Sequence, residues 1–143
     1  MIKINSQPIS KFAPSDGESL LVHSIFHTIQ GEGPFTGQPA IFIRLGGCNL
    51  RCPACDTEYT EGSETMLGDN IVESVARLHA GPRLVVITGG EPFRQNITEL
   101  CFELLHEKYK VQIETNGSLT LPFGFPPHDF PYGNRLSVVI SPK

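Results

Sequence analysis

The sequence predicts an α/β fold in which a parallel β-sheet is built from alternating strands and helices. Short apolar, β-branched runs bounded by glycine or proline recur along the chain, and two segments with the periodicity of amphipathic helices lie between them. Strands that alternate with helices form βαβ units, which bring parallel strands together in one sheet. The chain of 143 residues, 39% of them hydrophobic, has the size and composition of one globular domain.

The first three predicted elements form a strand–helix–strand unit. Residues 40–45 are rich in apolar and β-branched side chains and stop at a pair of glycines, which is typical of a strand. Residues 69–80 carry apolar side chains at helical spacing, with Asp69 or Asn70 as the expected N-cap. Residues 84–88 form a short apolar run between proline and glycine, as a buried strand does.

The remaining elements continue the alternation. Residues 96–109 have the apolar spacing of a helix, and the first of them forms a capping box with Glu99 three residues later. Residues 111–115 and 136–141 are two further predicted strands. The proline-rich stretch 121–132 is expected to be a surface loop.

The charge and hydropathy patterns exclude several classes of function. The net charge of −4 leaves no basic footprint for nucleic acid, because binding to phosphates depends on clustered lysine and arginine. No apolar run approaches the length of about 18 residues that suggests a membrane span. Residues 1–16 also lack the apolar core of a signal peptide. We therefore expect a cytoplasmic protein that binds neither nucleic acid nor membrane.

The cysteines point to metal chemistry. Cys48, Cys52 and Cys55 form a Cys-x-x-x-Cys-x-x-Cys motif, and in a reducing cytoplasm such a cluster indicates a metal site or catalysis rather than disulfides. A structural zinc site or a conventional 4Fe–4S cluster takes four ligands, whereas this motif offers three thiols. Cys101 lies far along the chain in an apolar helical pattern and is expected to be buried. Three thiolates would leave one iron of a cluster open, and a zinc site is the alternative.

Four polar motifs follow the predicted strands at their carboxyl ends. Ligands bind at that rim in parallel α/β folds, so the four motifs predict one shared site. Gly89 and Gly90 would let backbone approach a ligand closely, or would only form a turn. Glu91 is either a ligand contact or a carboxylate that fixes the turn. The motifs are the cysteine loop and residues 88–92, 114–117 and 141–143.

The cysteine motif after one strand, with a Gly-Gly-Glu turn after the next, resembles the radical S-adenosylmethionine enzymes. The resemblance implies a partial (βα)-barrel-like parallel sheet and a 4Fe–4S cluster held by Cys48, Cys52 and Cys55. It also implies that the open iron chelates S-adenosylmethionine. The residues that the resemblance places around S-adenosylmethionine are Gly90 at the methionine end and Ala54, Cys55 and Asp56 at the adenosine.

A closer resemblance extends from about residue 25 to residue 143. Residues 27–34, 40–45 and 55–57 together are similar to the 7-carboxy-7-deazaguanine synthase family, a far more specific match than the cysteine motif alone. That family converts 6-carboxy-5,6,7,8-tetrahydropterin to 7-carboxy-7-deazaguanine with loss of ammonia, on the route to queuosine-type bases. The resemblance therefore implies a lyase that contracts a heterocyclic ring.

The same resemblance implies roles for individual residues. Arg44, a basic residue in an apolar strand, suits the pterin carboxylate because its guanidinium forms a fixed fork; a structural ion pair is the alternative. Reduction of the cluster cleaves S-adenosylmethionine, and the 5′-deoxyadenosyl radical takes a hydrogen from carbon 6 of the pterin, so no further catalytic side chain is implied. The implied pterin contacts are Ile29, Gln30, Gly31, Glu32, Arg44 and Thr88; Thr57 would bind Mg²⁺; and Ser141, Pro142 and Lys143 would contact S-adenosylmethionine.

The resemblance also predicts how the chain is organised. Residues 1–24 would be an N-terminal extension and residues 25–143 an incomplete radical S-adenosylmethionine core, truncated at the C-terminus. We expect such a chain to bind the cluster but to turn over well below a full-length relative. An unprotected last strand invites pairing with another chain, so a homodimer is expected. The implied electron donor is of the flavodoxin or ferredoxin type.

Two other functions stay open at the level of sequence. A glycyl-radical activating enzyme of the same superfamily would share the cysteine motif, although the segments at 30–33 and 55–57 speak against it. A non-catalytic zinc or cluster-binding module would also use the three thiols. Metal analysis after anaerobic purification separates the module from the enzyme, because zinc without iron or sulfide contradicts the enzyme.

Overall fold

The computed structural model describes residues 4–11, 16–78, 81, 83–121, 125 and 133–143. Within these residues a sheet of six strands has the order β3-β1-β2-β4-β5-β6, and two α-helices accompany it. The predicted surface loop over 121–132 lies outside the described residues apart from Leu121 and Phe125, as do the last two residues of the first predicted helix. The elements are β1 Ser19–Ile29, β2 Pro39–Leu45, β3 Glu64–Leu67, α1 Gly68–Leu78, β4 Leu84–Gly89, α2 Thr98–His106, β5 Lys110–Thr115 and β6 Leu136–Ile140, with short 3₁₀ turns at Gly33–Phe35, Pro92–Arg94 and Gly133–Arg135.

The four strands that the sequence predicts are present and parallel. β2 pairs with β4, β4 with β5 and β5 with β6, all in the same direction. Val85 and Ile87 of β4 are fully buried, as expected for a strand covered on both sides by its neighbours. The α/β parallel-sheet prediction is therefore confirmed.

Two antiparallel strands were not predicted. β1 pairs antiparallel with β2, and β3 pairs antiparallel with β1. The register of β1 shifts between Val22 and Ser24, so the buried side chains change from even to odd positions and the alternation typical of a strand is broken. The boundary that the sequence places between residues 24 and 25 falls within β1, and the division into extension and core stays a prediction.

Both helix predictions are correct in place, but the first helix begins one residue earlier than predicted and the second is shorter. α1 begins at Gly68, so Asp69 lies in the first turn and is not the cap. α2 runs over Thr98–His106, shorter than the predicted 96–109. Of the predicted capping box, the side chain of Asn96 accepts a hydrogen bond from the Thr98 N–H at 3.2 Å. Beyond the helix Lys108 has φ 66, and the Tyr109 N–H turns back to the Leu104 carbonyl, which ends the helix in a left-handed cap.

The core lies between the two helices and one face of the sheet. Ile43 of β2, Ile87 of β4 and Ile113 of β5 are fully buried there with α2, and Cys101 of α2 is buried among them as the sequence predicts. The opposite face carries Arg44 and a smaller apolar cluster, formed by Ala40, Leu84 and Val86 with Phe35 and Phe42 packed against them. None of the helices in the described part of the chain has the length and apolar character needed to cross a bilayer.

Candidate functional site

A cavity of about 340 Å³ opens at the carboxyl ends of the parallel strands. All four polar motifs line it, so the prediction that they share one place is confirmed. Of the residues predicted from sequence, Ile29, Gln30, Gly31, Arg44 and Pro142 are not among its lining residues. The predicted residues that line it are Glu32, Cys48, Cys52, Ala54, Cys55, Asp56, Thr57, Thr88, Gly90, Ser141 and Lys143.

Glycine is required where β4 leads into the cavity wall. A Cβ on Gly89 would lie 2.2 Å from the Leu45 carbonyl oxygen, and a Cβ on Gly90 would lie 2.1 Å from the Gly47 carbonyl oxygen. These neighbours are backbone atoms, which cannot rotate away as a side chain does. The two glycines therefore let the turn after β4 pack directly on the start of the cysteine loop.

We predict that Gly90→Ala destabilises the fold by at least about 1–3 kcal/mol, because the new methyl group overpacks backbone against backbone. Thermal unfolding of the apoprotein measures the change. Gly31→Ala is the matched control, since a Cβ there meets nothing within 4 Å. Equal melting temperatures for the two variants would contradict the close approach at Gly90.

The three thiols of the motif lie in one cavity wall. All of them are free, with Cys48 only 7% exposed and the other two half-buried. Burial raises the pKa of the Cys48 thiol, although the Leu50 N–H, which donates to its sulfur at 3.4 Å, opposes that shift. The Cys55 thiol donates to the Thr57 carbonyl at 3.8 Å. Among the described residues no three histidine, cysteine or acidic side chains converge closely enough to hold a metal ion, so the thiols share the cavity without meeting at one point.

The donor set fits an iron–sulfur cluster with one open iron. Thiolates are the ligands that such clusters use, and the cavity brings together Cys48, Cys52 and Cys55 with no fourth cysteine among its lining residues. The backbone of Gly89 and Gly90 lines the same cavity next to Cys48, so no side chain of that turn occupies the space beside the thiols. Ligation would replace the thiol protons, including the one that burial retains on Cys48.

Glu91 resolves the alternative that the sequence leaves open. Its carboxylate is fully buried and accepts hydrogen bonds from the Phe93 N–H at 3.0 Å, the Thr115 hydroxyl at 2.7 Å and the Asn116 N–H at 2.8 Å. These donors belong to the turn after β4 and to the end of β5. Glu91 therefore fixes the turn and joins two strand ends of the cavity wall.

Polar side chains that follow β1 and lie on β5 support the part of the cavity wall formed by Glu32 and Glu114. Gln30 is 1% exposed, and its amide donates to Glu114 at 2.9 Å and accepts from the Glu32 N–H at 3.0 Å. Gln112 donates to the Glu32 carbonyl at 3.3 Å. Gln30 thus lies behind the cavity and orients Glu32 and Glu114, which line it.

Arg44 lies on the sheet face that the helices leave uncovered. It pairs with Thr88 across β2 and β4, and its guanidinium carbon is 5.3 Å from the centre of the Phe26 ring. Its buried Nε has no hydrogen-bond partner among the described residues. A buried guanidinium nitrogen of this kind is available to an anionic ligand.

Sequence reasoning missed part of the wall. Tyr59 and Leu50 line the cavity, and no spacing marks either residue beforehand. The 114–117 motif was placed at the rim without a role for its members, yet Asn116 donates to the Asn49 side chain at 3.0 Å and so ties β5 to the cysteine loop. The signal that could have revealed this contact is the cluster of polar residues at 114–117, at the end of a predicted strand.

Comparison with known proteins places the site in context. Residues 42–123 match the Radical SAM superfamily. The 7-carboxy-7-deazaguanine synthase of Rhodospirillum rubrum is 46% identical over 131 residues, which cover 91% of this chain and 53% of the relative. That of Rickettsia prowazekii is 52% identical over 118 residues, covering 78% of this chain and 50% of the relative.

A solved structure agrees with these relatives. The crystal structure of QueE from Escherichia coli is 31% identical and superposes with a TM-score of 0.73, covering 87% of this chain and 60% of that one. The predicted resemblance to 7-carboxy-7-deazaguanine synthases is confirmed, and so is the predicted fold class. The chain spans about half the length of the curated relatives named above, 53% and 50% of them.

Proposed function

The chain belongs to the radical S-adenosylmethionine superfamily, and on that premise we propose that it converts 6-carboxy-5,6,7,8-tetrahydropterin to 7-carboxy-7-deazaguanine with release of ammonia. The observation that carries the proposal is that three free thiols line one cavity together with Glu32, Glu114 and Thr88. The similarity to synthases of that name supports the choice of substrate.

Membership of the superfamily implies a 4Fe–4S cluster and S-adenosylmethionine. In the proposal Cys48, Cys52 and Cys55 hold the cluster, which supplies the electron that cleaves S-adenosylmethionine when both are bound. The cavity wall fits this division, because the thiols and the glycine turn line the same cavity side by side. The residues proposed to hold S-adenosylmethionine are Gly90, Ala54, Cys55, Asp56, Ser141, Pro142 and Lys143.

The pterin ring would bind against the polar wall. Its amide and amino groups need paired donors and acceptors, which the Glu32 carboxylate and the backbone around Gly31 supply. Gln30 lies behind the cavity wall, where it accepts a hydrogen bond from the Glu32 N–H and donates one to the Glu114 carboxylate, and so orients both residues. Ile29 and Thr88 are proposed to complete the pocket.

Mg²⁺ is proposed to bind at Thr57. The Thr57 hydroxyl lines the cavity and donates to the Asp56 carboxylate at 3.3 Å, so two oxygen ligands of the kind Mg²⁺ prefers are adjacent. Substrate carboxylate and water would supply further oxygens, since Mg²⁺ binds readily in octahedra shared between protein and substrate.

We predict that Arg44→Lys weakens pterin binding by about tenfold or more, because an ammonium cannot reproduce a bidentate contact to a carboxylate. Titration of the variant with the pterin and with S-adenosylmethionine checks this, and affinity for S-adenosylmethionine should be unchanged. Arg77→Lys, on the exposed face of α1, is the control. If the pterin affinity is unchanged, Arg44 has a structural role and does not bind the pterin carboxylate.

The proposal also includes the cellular compartment, the electron donor and the oligomeric state. Four free thiols suit the reducing cytoplasm, and an electron donor of the flavodoxin or ferredoxin type would reduce the cluster. β6 is an edge strand with Ile140 60% exposed, which supports a homodimer formed through that edge.

An anaerobic assay with the carboxy-tetrahydropterin, S-adenosylmethionine and dithionite tests the proposed function. Chromatography should show 7-carboxy-7-deazaguanine and 5′-deoxyadenosine together. Zinc without iron or sulfide in the anaerobically purified protein would overturn the proposal. So would 5′-deoxyadenosine that forms at the same rate whether or not the pterin is present.

A further inference from the structure

The segment of residues 5–11, called the N-terminal strap below, lies along the cysteine loop. At one end the Asn5 N–H donates to the Pro53 carbonyl at 3.1 Å. At the other end the Ser10 N–H donates to the Cys48 carbonyl at 2.7 Å, and Ile9 forms a parallel β-bridge with Cys48. The strap therefore contacts the loop near its first cysteine and again between its second and third.

Two amide side chains of the strap bind the loop between these ends. Asn5 donates from Nδ2 to the Cys52 carbonyl at 3.2 Å, and Gln7 donates from Nε2 to the Thr57 carbonyl at 2.8 Å. Gln7 Oε1 also accepts from the Tyr59 N–H at 2.9 Å. Asn5 Oδ1 accepts from the Gln7 backbone N–H at 3.0 Å and from Gln7 Nε2 at 3.3 Å, so the two amide side chains also hold each other in place.

Arg94 anchors the far end of the strap. It is 5% exposed and donates to the Lys11 carbonyl at 2.8 Å and to the Gly46 carbonyl at 3.0 Å. One buried guanidinium thus joins the end of the strap to the residues that precede Cys48.

The loop depends on such contacts because it has no regular structure of its own. Residues 49–59 contain neither helix nor strand, so few of their backbone groups have partners from secondary structure. The contacts of the strap fall on the carbonyls of Cys48 and Cys52 and on both sides of Cys55. They constrain the backbone at all three thiols.

We propose that Asn5 and Gln7 are positioning residues that hold the cysteine loop in the conformation in which its three thiols retain the iron–sulfur cluster. The proposal rests on the cysteines being the cluster ligands, but not on the identity of the pterin substrate. The strap belongs to the first 24 residues, outside the core that the sequence delimits, and its function is to complete that core.

The test is retention of iron by the double variant Asn5→Ala/Gln7→Ala. The variant and the wild-type chain are reconstituted anaerobically with iron and sulfide, and iron transfer to a chelator is followed by absorbance. We expect the variant to lose iron about tenfold faster, because the lost hydrogen bonds free the backbone at Cys52 and Thr57. Asn70→Ala, on the exposed surface of α1, should lose iron at the wild-type rate.

Two near-isosteric variants distinguish positioning from general stability. Asn5→Asp and Gln7→Glu keep the acceptor oxygens but lose the donors to Cys52 and Thr57. We expect both to melt within a few degrees of the wild type, to lose iron faster, and to alter the electron paramagnetic resonance spectrum of the reduced cluster. These variants decide the question if the double variant fails to fold.

Wild-type rates of iron loss in the folded double variant, or in both isosteric variants, would overturn the proposal. A wild-type chain that assembles no cluster would overturn it as well. A wild-type chain that holds the cluster and cleaves S-adenosylmethionine without consuming the pterin contradicts the proposed function alone, and leaves the role of the strap standing.

Discussion

Replacing Cys48, Cys52 or Cys55 with alanine is expected to abolish assembly of the 4Fe–4S cluster and, with it, cleavage of S-adenosylmethionine. Three thiolates are the minimum set, because the cavity supplies no fourth cysteine to replace a lost ligand. Iron and sulfide analysis after anaerobic reconstitution, with the visible absorbance of the cluster, measures the loss. The single variants should each fall to background.

Cys101→Ala is the matched control for these variants. Cys101 is fully buried in α2 and is not among the residues that line the cavity. Burial raises the pKa of its thiol far above the usual range, so the thiol stays protonated. Its replacement should leave the iron content unchanged and cost about 1–2 kcal/mol of stability through the small void it creates. Loss of iron from the Cys101 variant, or its retention by a variant of the motif, would show that the ligands are assigned wrongly.

Glu91→Ala is expected to destabilise the fold by at least about 3 kcal/mol, since it leaves three buried or half-buried donors without their acceptor, at about 1–3 kcal/mol each. Thermal and denaturant unfolding of the apoprotein measure this. S-adenosylmethionine binding should weaken in whatever fraction remains folded, because Thr115 and Asn116 lose the group that orients them in the cavity wall.

Glu91→Gln refines the prediction. Its amide oxygen can keep the hydrogen bonds from Phe93 and Thr115, but its NH₂ would face the Asn116 N–H, so we expect a clear loss of stability that is smaller than that of the alanine variant. Glu61→Ala, an exposed carboxylate in a loop, should change stability by no more than about 0.5 kcal/mol. A Glu91→Gln protein as stable as the wild type would mean that the buried network does not hold the two strand ends.

The parallel strands of the sheet were predictable because each one is encoded by a short, continuous segment of sequence. Strands β2, β4 and β5 are short runs of β-branched residues, and their burial follows from composition alone. The convergence of the polar motifs followed from the same pattern, since parallel strands end at one rim. The ends of the helices were less predictable. The left-handed turn after α2 is formed by Lys108, whereas glycine or asparagine is the residue type that marks such a turn in a sequence.

The antiparallel half of the sheet required the three-dimensional structure. β1 mixes polar and apolar side chains around a bulge, so only its pairing with β2 and β3 identifies it as a strand. The hydrogen bonds of Gln30 were unpredictable for a similar reason: its buried side chain donates to Glu114 of β5, 84 positions away, while its contact with substrate stays a prediction.

Local sequence therefore specified the parallel strands, the helices and the residue types of the site, including three thiols without a fourth. Long-range contacts specified which of those residues share the cavity and what holds them. Glu91 reaches Thr115 across 24 positions, and Asn5 reaches Cys52 across 47. No periodicity or motif encodes such pairs, because a hydrogen bond between distant segments exists only after the hydrophobic core has brought those segments together.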